Sequence, residues 1–572
     1  MNIGRTISAL LALALSACAT VPASAPAPAP SSTNLVAPFV IAANPLAARA
    51  GLEVLERGGG AADAALAVQA MLSLVEPQSS GIGGGGFLNY FDAASGRITI
   101  YDGRETAPAQ ASATMFLDSA SKPLPFGAAV VSGRATGVPG AVAALALAHK
   151  EHGRLEWDGL FAGAIATARD GFIVSPRLGR FLTASFPQLG VADAAAYFAR
   201  PDGTRLRPGD RLKNPAYAEF LGRLSRDGTD ALYRGSTAAR IVQRTRAAPL
   251  GGTMTVADLA AYRPVKREPL CRPYRAYRVC APPPPSSGVG MLELLGLLER
   301  TDIAARGPAD PQAWFLFAEA SRLMYADRDA YVGDADFVAV PVAGLLDPAY
   351  LDARARLIGE RAAVSVAPGR PQGAPEPAAD RTREPAGTSH FVIRDARGDV
   401  VSMTTTVESI FGTGRMVDGF FLNNQLTDFS FSPVTSDGLP AANAVAPLKR
   451  PRSSMTPLIL LDRDGRFAGA IGSAGGNSIL AYVGKSLIAA IDWGLPMQQA
   501  LAQPNLIARG KVFSGEADKF DPAVVAGLAA RGIAIVPGQG EDSGVHGVLI
   551  RDGQIDGGFD PRREGVVLIG KR

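Results

Sequence analysis

The sequence predicts a mixed α/β (α+β) protein in which helices and strands form separate layers, and three features support this. A helical segment follows Asn44-Pro45, a pair suited to the N-cap and the first helical position, and it ends at Gly58-Gly59-Gly60. A second helix, AADAALAVQAMLSLV, is apolar on every face and therefore belongs between other elements. From Gly387 onwards the chain is strongly β-like.

A glycine run, Gly81-Ile82-Gly83-Gly84-Gly85-Gly86, separates the second helix from a strand, FLNYF. The run satisfies the pattern G-x-G-x-x-G. However, the order helix, glycines, strand is the reverse of the dinucleotide-binding fingerprint. A packed turn with a close backbone approach is therefore the better interpretation.

The middle of the chain, roughly residues 140–380, is predicted to be mainly helical, with proline-rich breaks at Pro282–Pro285 and over 368–386. The second break has few apolar side chains that could anchor it to a core. It is therefore predicted to be an exposed, mobile linker that ends at Gly387.

Composition excludes several classes of function. The 57 basic and 53 acidic residues leave a net charge of +4 over 572 residues, with no basic stripe, so no nucleic-acid partner is expected. Four His and three Cys leave little for a multi-ligand zinc site, and we expect neither a metal nor a cofactor. The nucleophile elbow G-x-S-x-G, a Walker loop and H-E-x-x-H are all missing from the sequence.

The N-terminus predicts export. Residues 1–17 have the layout of a secretory signal peptide, too short to span a bilayer. Leu15-Ser16-Ala17-Cys18 resembles a bacterial lipobox, in which Cys18 carries the lipid anchor, and residues 18–34 supply an Ala/Pro/Ser tether. We expect a periplasmic lipoprotein that meets the membrane only through this anchor. An ordinary signal peptide with a chance cysteine is the alternative.

Cys271 and Cys280 flank a short strand-like segment, CRPYRAYRVC. An oxidising compartment permits a disulfide between them, but the spacing alone does not establish one.

Chemistry is predicted at the hairpin formed by residues 387–412. Two strands, HFVIRD and VVSMTTTV, are joined by Ala396-Arg397-Gly398, a three-residue loop with glycine at the left-handed position. This loop places Asp395 opposite Asp399, and it therefore places Thr388 opposite Thr406. Taken alone, a facing pair of threonines is ordinary in a β-sheet.

Gly387-Thr388-Ser389-His390 and the hairpin resemble the processing site of the gamma-glutamyltransferase (gamma-glutamyl transpeptidase, glutathione hydrolase) family of N-terminal-nucleophile hydrolases. Further segments match the family in order along nearly the whole mature chain: DGRETAP (102–108), REPLCRPYR (267–275), PPPSSG (283–288), YADRDAYVGD (325–334), LNNQLTDFS (422–430), KRPRSSMTP (449–457), GSAGGNSI (472–479) and DPRREG (560–565).

The resemblance implies a four-layer αββα sandwich and a precursor that cuts itself between Gly387 and Thr388. The products would be a large subunit, residues 35–387, and a small subunit, residues 388–572, which remain together as a heterodimer through shared sheets. Thr388 would be the nucleophile, and its new α-amino group, with an unperturbed pKa near 8, would be the base.

The resemblance also implies the other residues of the site. Thr406 would support the nucleophile, and Gly475 and Gly476 would supply the oxyanion hole. A γ-glutamyl donor carries an α-carboxylate and an α-ammonium, each of which needs partners when it is buried. The residues implied for the carboxylate are Arg104, Ser453 and Ser454, and those implied for the ammonium are Glu408, Gln425 and Asp428.

The expected function is cleavage of γ-glutamyl amides such as glutathione, with transfer to water, an amino acid or a peptide. Some positions depart from the family. Glu408 stands where several relatives have Asn, Phe391 replaces a Tyr and Ala474 replaces a Pro. Residues 430–442, SFSPVTSDGLPAA, are shorter than a lid loop, which predicts an open site. Two alternatives stay open: a cephalosporin (glutaryl-type) acylase, and an uncleaved binding lipoprotein without enzymatic activity.

Overall fold

The computed structural model describes residues 37–571, apart from residues 379, 381 and 539–542. The predicted signal peptide, Cys18 and the tether therefore lie outside the described residues. Within the described part of the chain, no helix is both long enough and apolar enough to cross a membrane.

Two large antiparallel sheets form the centre of the fold. The strands are β1 (Phe39–Ala42), β2 (Gly85–Asp92), β3 (Arg97–Gly103), β4 (Phe172–Ile173), β5 (Arg211–Leu212), β6 (Val265–Arg267), β7 (Leu270–Tyr274), β8 (Tyr277–Ala281), β9 (Gly387–Arg394), β10 (Val400–Glu408), β11 (Met416–Val417), β12 (Phe420–Phe421), β13 (Leu458–Leu461), β14 (Phe467–Gly472), β15 (Leu506–Arg509), β16 (Val512–Gly515), β17 (Val536–Pro537), β18 (His546–Arg551), β19 (Gln554–Phe559) and β20 (Val566–Ile569). The first sheet has the order β20-β1-β9-β10-β2-β3-β6, and the second has the order β19-β18-β14-β13-β8-β7.

Helices cover the outer faces of both sheets. They are α1 (Pro45–Glu56), α2 (Ala61–Val75), α3 (Phe126–Val130), α4 (Ala141–His152), α5 (Ala162–Asp170), α6 (Pro176–Thr183), α7 (Ala192–Tyr197), α8 (Pro215–Asp227), α9 (Asp230–Tyr233), α10 (Gly235–Arg246), α11 (Val256–Ala261), α12 (Gly288–Leu298), α13 (Pro311–Tyr331), α14 (Val342–Leu345), α15 (Pro348–Ala355), α16 (Ile479–Ile491), α17 (Met497–Ala502) and α18 (Pro522–Ala530).

Alternate side chains of the central strands enter different cores, and this defines the layers. Val392 of β9 packs with Ile459 of β13 in a core between the two sheets. Phe391, its neighbour, belongs to the core beneath α1 and α2, whereas Leu460 belongs to the core beneath α12, α13 and α16. The order helix, sheet, sheet, helix is the four-layer αββα sandwich that the resemblance implied.

Strands from both sides of Gly387–Thr388 interleave in each sheet. In the first sheet, β9 and β10 pair with each other and lie between β1 and β2. In the second sheet, β13 pairs with β8. A chain cut before Thr388 would therefore keep its two parts joined by these strand ladders, as the shared-sheet prediction requires.

The first two helices match their predictions. The Asn44 side chain accepts a hydrogen bond from the Leu46 backbone N–H at 2.9 Å, and Pro45 opens α1. Every residue of α2 is buried. The almost wholly apolar sequence of α2 is explained by contacts with α1, α4 and α5 as well as with the sheet.

The prediction of an exposed linker over 368–386 is wrong for the C-terminal part of this segment, which leads to Gly387. Ala378, Asp380, Thr382 and Glu384 are all buried. Ion pairs and hydrogen bonds to the rest of the protein hold this end in place, so its low apolar content does not make it mobile.

The structure joins Cys271 and Cys280, which face each other across β7 and β8 with Cα atoms 4.1 Å apart. This settles the pairing that the sequence left open.

Candidate active site

The β9–β10 hairpin brings Thr388 and Thr406 together, in the register that its loop predicts. Thr388 pairs with Thr406, and Gly398 in the loop has φ of 95°. The Thr388 hydroxyl donates to Thr406 Oγ1 over 3.2 Å, and both residues are buried. Thr388 points into the space between the two sheets, because it shares a strand face with Val392.

Thr406 links the nucleophile to the bond expected to break. Its hydroxyl donates to the Gly387 carbonyl oxygen, while the Glu408 backbone N–H donates to Thr406 Oγ1 at 2.8 Å. A bulge between Thr406 and Glu408 makes this possible, and Glu408 adopts φ of 83°, unusual for a residue other than glycine. The Thr406 hydroxyl therefore lies between the Gly387 carbonyl oxygen, to which it donates, and the Thr388 hydroxyl, from which it accepts.

The glycine run places β2 against this pair. A Cβ on Gly84 would lie 1.8 Å from the Thr406 carbonyl oxygen, and one on Gly86 would lie 2.4 Å from the Thr404 carbonyl oxygen. Only glycine permits this approach, which confirms the packed-turn interpretation.

Gly475 and Gly476 lie at the turn that leads into α16. Their φ angles are 129° and 53°, which strongly favour glycine. A Cβ on Gly475 would lie 2.4 Å from the Tyr482 ring, and one on Gly476 would lie 2.1 Å from the Glu384 carbonyl oxygen. Gly476 lines the same cavity as Thr388, at the start of the short helical turn Gly476–Ser478 that leads into α16.

At the other end of the cavity, Arg104 and Asp428 are both buried and paired with each other. Arg104 Nη2 lies 2.6 Å from Asp428 Oδ2. The guanidinium also donates to the carbonyl oxygens of Pro451 and Arg452. The cation and the anion implied for substrate recognition are therefore paired with each other.

The groups implied for an ammonium form an acceptor cluster. Gln425 donates through Nε2 to Asp428 Oδ2 at 2.7 Å, while its Oε1 is buried without a donor from the described residues. Burial and the nearby Asp428 carboxylate raise the pKa of Glu408 well above its ordinary value. Burial also raises the pKa of Asp428, so two neighbouring buried carboxyl groups with raised pKa values lie at this end of the cavity.

Ser453 and Ser454 are the remaining residues implied for the carboxylate, and the Ser454 hydroxyl already has two hydrogen-bond partners. Ser453 Oγ accepts from the Met455 N–H at 3.1 Å. Ser454 Oγ donates to Glu384 Oε2 at 2.5 Å and accepts from Arg328 Nη2 at 2.6 Å. Sequence reasoning missed Glu384 and Arg328. The second lies in the matched segment YADRDAYVGD, and this was the available signal.

A second buried pair supports the nucleophile from behind. Arg563 donates through Nη1 to the Thr388 carbonyl oxygen at 2.8 Å and lies 3.8 Å from Glu76 Oε2. The Ser389 hydroxyl donates to the same carboxylate at 3.2 Å. Sequence reasoning gave these residues no role, although Arg563 belongs to the matched segment DPRREG.

Nearly all the predicted site residues line one small cavity. Its volume is about 20 Å³, and Glu384 and Pro385 also line it. Gly475 lies beside this lining but is not part of it, and Gly387 is joined to it through Thr388. The predicted residues that line the cavity are Arg104, Thr388, Thr406, Glu408, Gln425, Asp428, Ser453, Ser454 and Gly476.

An αββα sandwich with a buried threonine near the start of a central strand defines the class of N-terminal-nucleophile hydrolases. Within that class, the gamma-glutamyltranspeptidase family model matches residues 47–570. The chain therefore belongs to the gamma-glutamyltranspeptidase family.

The relatives of this chain include both glutathione hydrolases and acylases. The glutathione hydrolase proenzyme of Bacillus subtilis (strain 168) is 37% identical over 82% of this chain and 80% of its own length. The acylase ACY 1 proenzyme of Pseudomonas sp. (strain SE83) is 34% identical over 92% of both. Among solved structures, the cephalosporin acylase from Bacillus halodurans has a TM-score of 0.82 at 26% identity and covers 96% of this chain and 99% of its own.

Proposed function

We propose that this protein is a self-processing gamma-glutamyltransferase with glutathione hydrolase activity and that Thr388 is its nucleophile. The observation that carries the proposal is the chain of hydrogen bonds from Thr388 to Thr406 and on to the Gly387 carbonyl. The family and its proenzyme relatives support the same function.

The first reaction is the cut that makes the enzyme. Thr388 Oγ attacks the Gly387 carbonyl carbon, a C–O bond forms, the peptide C–N bond breaks, and the hydroxyl proton ends on the released amine. Water then hydrolyses the ester, so that Gly387 gains a carboxylate and Thr388 regains its hydroxyl. Thr406 stabilises the charge that develops on the carbonyl oxygen.

The second reaction repeats this attack on a substrate. The free amine of Thr388, with an unperturbed pKa near 8, takes the hydroxyl proton, which a lone threonine cannot lose easily. The hydroxyl attacks the γ-carbonyl of the donor and forms a γ-glutamyl ester, and the leaving amine takes the proton. Water or an acceptor amine then releases the γ-glutamyl group. The N–H groups of Gly475 and Gly476 would face the oxyanion.

Donor recognition would use the charged end of the cavity. The α-carboxylate suits Arg104, Ser453 and Ser454, because a guanidinium fork and hydroxyls donate to an anion. The α-ammonium suits Gln425, Asp428 and Glu408, because Gln425 Oε1 and Asp428 Oδ1 lack donors from the described residues and Glu408 adds a further carboxyl group.

The subunits and their location form part of the same proposal. Residues 35–387 and 388–572 would remain a heterodimer, because the ladders of β9 with β1 and of β10 with β2 cross the cut. The signal peptide and Cys18 would place the enzyme in the periplasm on a lipid anchor. The disulfide between Cys271 and Cys280 fits an oxidising compartment.

An acylase for glutaryl side chains is the second candidate, and the likeness to acylase proenzymes and to the cephalosporin acylase supports it. A glutaryl group lacks the ammonium. It would therefore leave the acceptors on Gln425 and Asp428 without a donor in the water-poor cavity. This cost favours a γ-glutamyl donor over a glutaryl amide as the substrate.

A paired assay tests the choice. Purified protein is given a γ-glutamyl p-nitroanilide and, separately, a glutaryl p-nitroanilide, with Thr388→Ala as the control for contaminating enzymes. We expect release of p-nitroaniline from the first substrate, much weaker release from the second, and none from the variant. Faster turnover of the glutaryl amide would replace the first candidate with the second.

A further inference from the structure

Glu384 lies upstream of the cut, only a short stretch of chain from the scissile bond, yet its carboxylate is held like a bound ligand. Oε1 accepts from Arg328 Nη2 at 2.6 Å. Oε2 accepts from the hydroxyl and the N–H of Ser454, at 2.5 and 3.1 Å. Arg452 Nε lies 3.5 Å from Oε1. The residue is only 7% exposed, although it lies in a segment rich in proline and glycine.

The backbone around Glu384 is fixed as well. The Asn477 N–H donates to the Glu384 carbonyl oxygen at 3.0 Å. The carbonyl oxygens of Glu384 and Pro385 sit against Gly476, so close that a Cβ there would lie 2.1 and 2.4 Å from them. The segment thus runs across the predicted oxyanion turn before it reaches Gly387.

In both proposed reactions, the acyl group that is transferred to Thr388 carries a carboxylate. In self-cleavage, the acyl group transferred to Thr388 is Gly387 with the chain before it, and that chain carries the Glu384 carboxylate. In turnover, the acyl group is γ-glutamyl, and it carries the α-carboxylate of the donor. Both carboxylates would meet Ser454.

We propose that Glu384 is an internal stand-in for the carboxylate of the donor: it positions the Gly387 carbonyl for self-cleavage and closes the donor site until the cut is made. The inference rests on the proposed function. Glu384 is a positioning residue, because it acts on the scissile carbonyl through the chain that joins them.

The charges around Glu384 agree with this role. Burial alone would raise its pKa, but Arg328 and Arg452 lower the pKa of Glu384 to about 2, so that it is ionised at any assay pH. Both arginines are buried. Once the cut segment withdraws, these arginines would keep Asp329 but lose Glu384 as a partner, and the carboxylate of an incoming donor would replace Glu384 there.

Cleavage kinetics of the full chain test the proposal. The chain is made by cell-free synthesis, and samples are stopped in time and separated on a denaturing gel. For Glu384→Gln, which keeps the shape and removes the charge, we expect self-cleavage to slow about tenfold or more. Glu376→Gln is the matched control, because Glu376 is an exposed carboxylate of the same segment that pairs with Arg370 at the surface. It should cleave at the wild-type rate.

Rescue separates positioning from misfolding. For Glu384→Ala, added acetate or formate should restore much of the cleavage rate with a saturable dose dependence. Wild-type cleavage rates for Glu384→Gln would overturn the proposal, and so would a slow Glu384→Ala that neither carboxylate accelerates. In either case the proposed function would stand, because the wild-type chain still cuts itself before Thr388.

Discussion

The two ends of the cavity are built on different physical principles. At the nucleophile end, Thr388, Thr406 and Gly387 are joined by uncharged hydrogen bonds between two adjacent strands. At the recognition end, Arg104 and Asp428 form a buried ion pair between residues more than 300 positions apart in sequence.

This difference separates chemistry from specificity. A hairpin register fixes the hydroxyls and the carbonyl within one rigid ladder, which suits a bond-making step that tolerates little displacement. Buried charges are costly unless each one has a partner, so the recognition end stays neutral by pairing Arg104 with Asp428 and Glu384 with Arg328. Changes at the first end should therefore affect rates, and changes at the second should affect donor affinity.

The largest effect is expected for Thr406→Ala. It removes the hydroxyl that donates to the Gly387 carbonyl and accepts from Thr388, so self-cleavage should slow about 100-fold or more. Thr406→Ser keeps the hydroxyl and should retain most of the rate. The split of the chain on a denaturing gel over time measures both. An alanine variant that cleaves within threefold of wild type would remove Thr406 from the mechanism.

Arg104→Ala tests the recognition end. The donor loses a charge-assisted contact and Asp428 loses its partner, so KM for a γ-glutamyl anilide should rise about 10- to 100-fold while self-cleavage changes much less. Arg97→Ala is the matched control, because Arg97 lies on the same strand, β3, in an exposed pair with Glu268. An unchanged KM for Arg104→Ala would contradict the assigned substrate.

Glu408 should give the recognition end a pH dependence. Burial and the Asp428 carboxylate hold the pKa of Glu408 above its ordinary value, and a neutral Glu408 cannot pair with an ammonium. The donor KM should therefore fall as pH rises towards the raised pKa of Glu408, by up to about tenfold per pH unit below that pKa. Glu408→Asn removes this titrating group, and its KM should vary less over the same range. Parallel profiles for the two proteins would contradict this role of Glu408.

The smallest kinetic effect is expected far from both ends. Replacing Cys271 and Cys280 by serine opens a link between neighbouring strands with a sequence separation of 9 residues. The free energy of unfolding should fall by at most about 3 kcal/mol, because the closed loop is short. Denaturant titration measures this loss, and kcat/KM of the folded protein should not change. A large loss of activity in the folded double variant would show that the second sheet controls the site.

Local rules were enough to predict the pairing of Thr388 with Thr406, because the loop 396–398 fixed the hairpin register. The role of Thr388 as nucleophile was predicted from the resemblance to a family. The glycine run was also read correctly as a close approach, now seen between Gly84 and Thr406.

Contacts between residues far apart in the sequence could not be predicted in the same way. Nothing local in the sequence indicates that Glu384 pairs with Arg328, 56 positions away, or that Arg563 meets the Thr388 carbonyl from 175 positions away. The prediction of an exposed linker over 368–386 was wrong for this reason. It was based on the small number of apolar side chains, whereas ion pairs such as Glu384 with Arg328 anchor the segment. Only the resemblance to a family could place Arg104 and Asp428 in one site.

The central claim is that the chain severs itself before Thr388 and thereby creates its own catalytic amine. Mass spectrometry of the purified, active protein tests this most directly, because it identifies every N-terminus present. We predict a fragment that begins at Thr388 and ends at Arg572, held in a complex with the fragment that ends at Gly387. A fully active preparation in which the chain is intact across this bond would contradict the account.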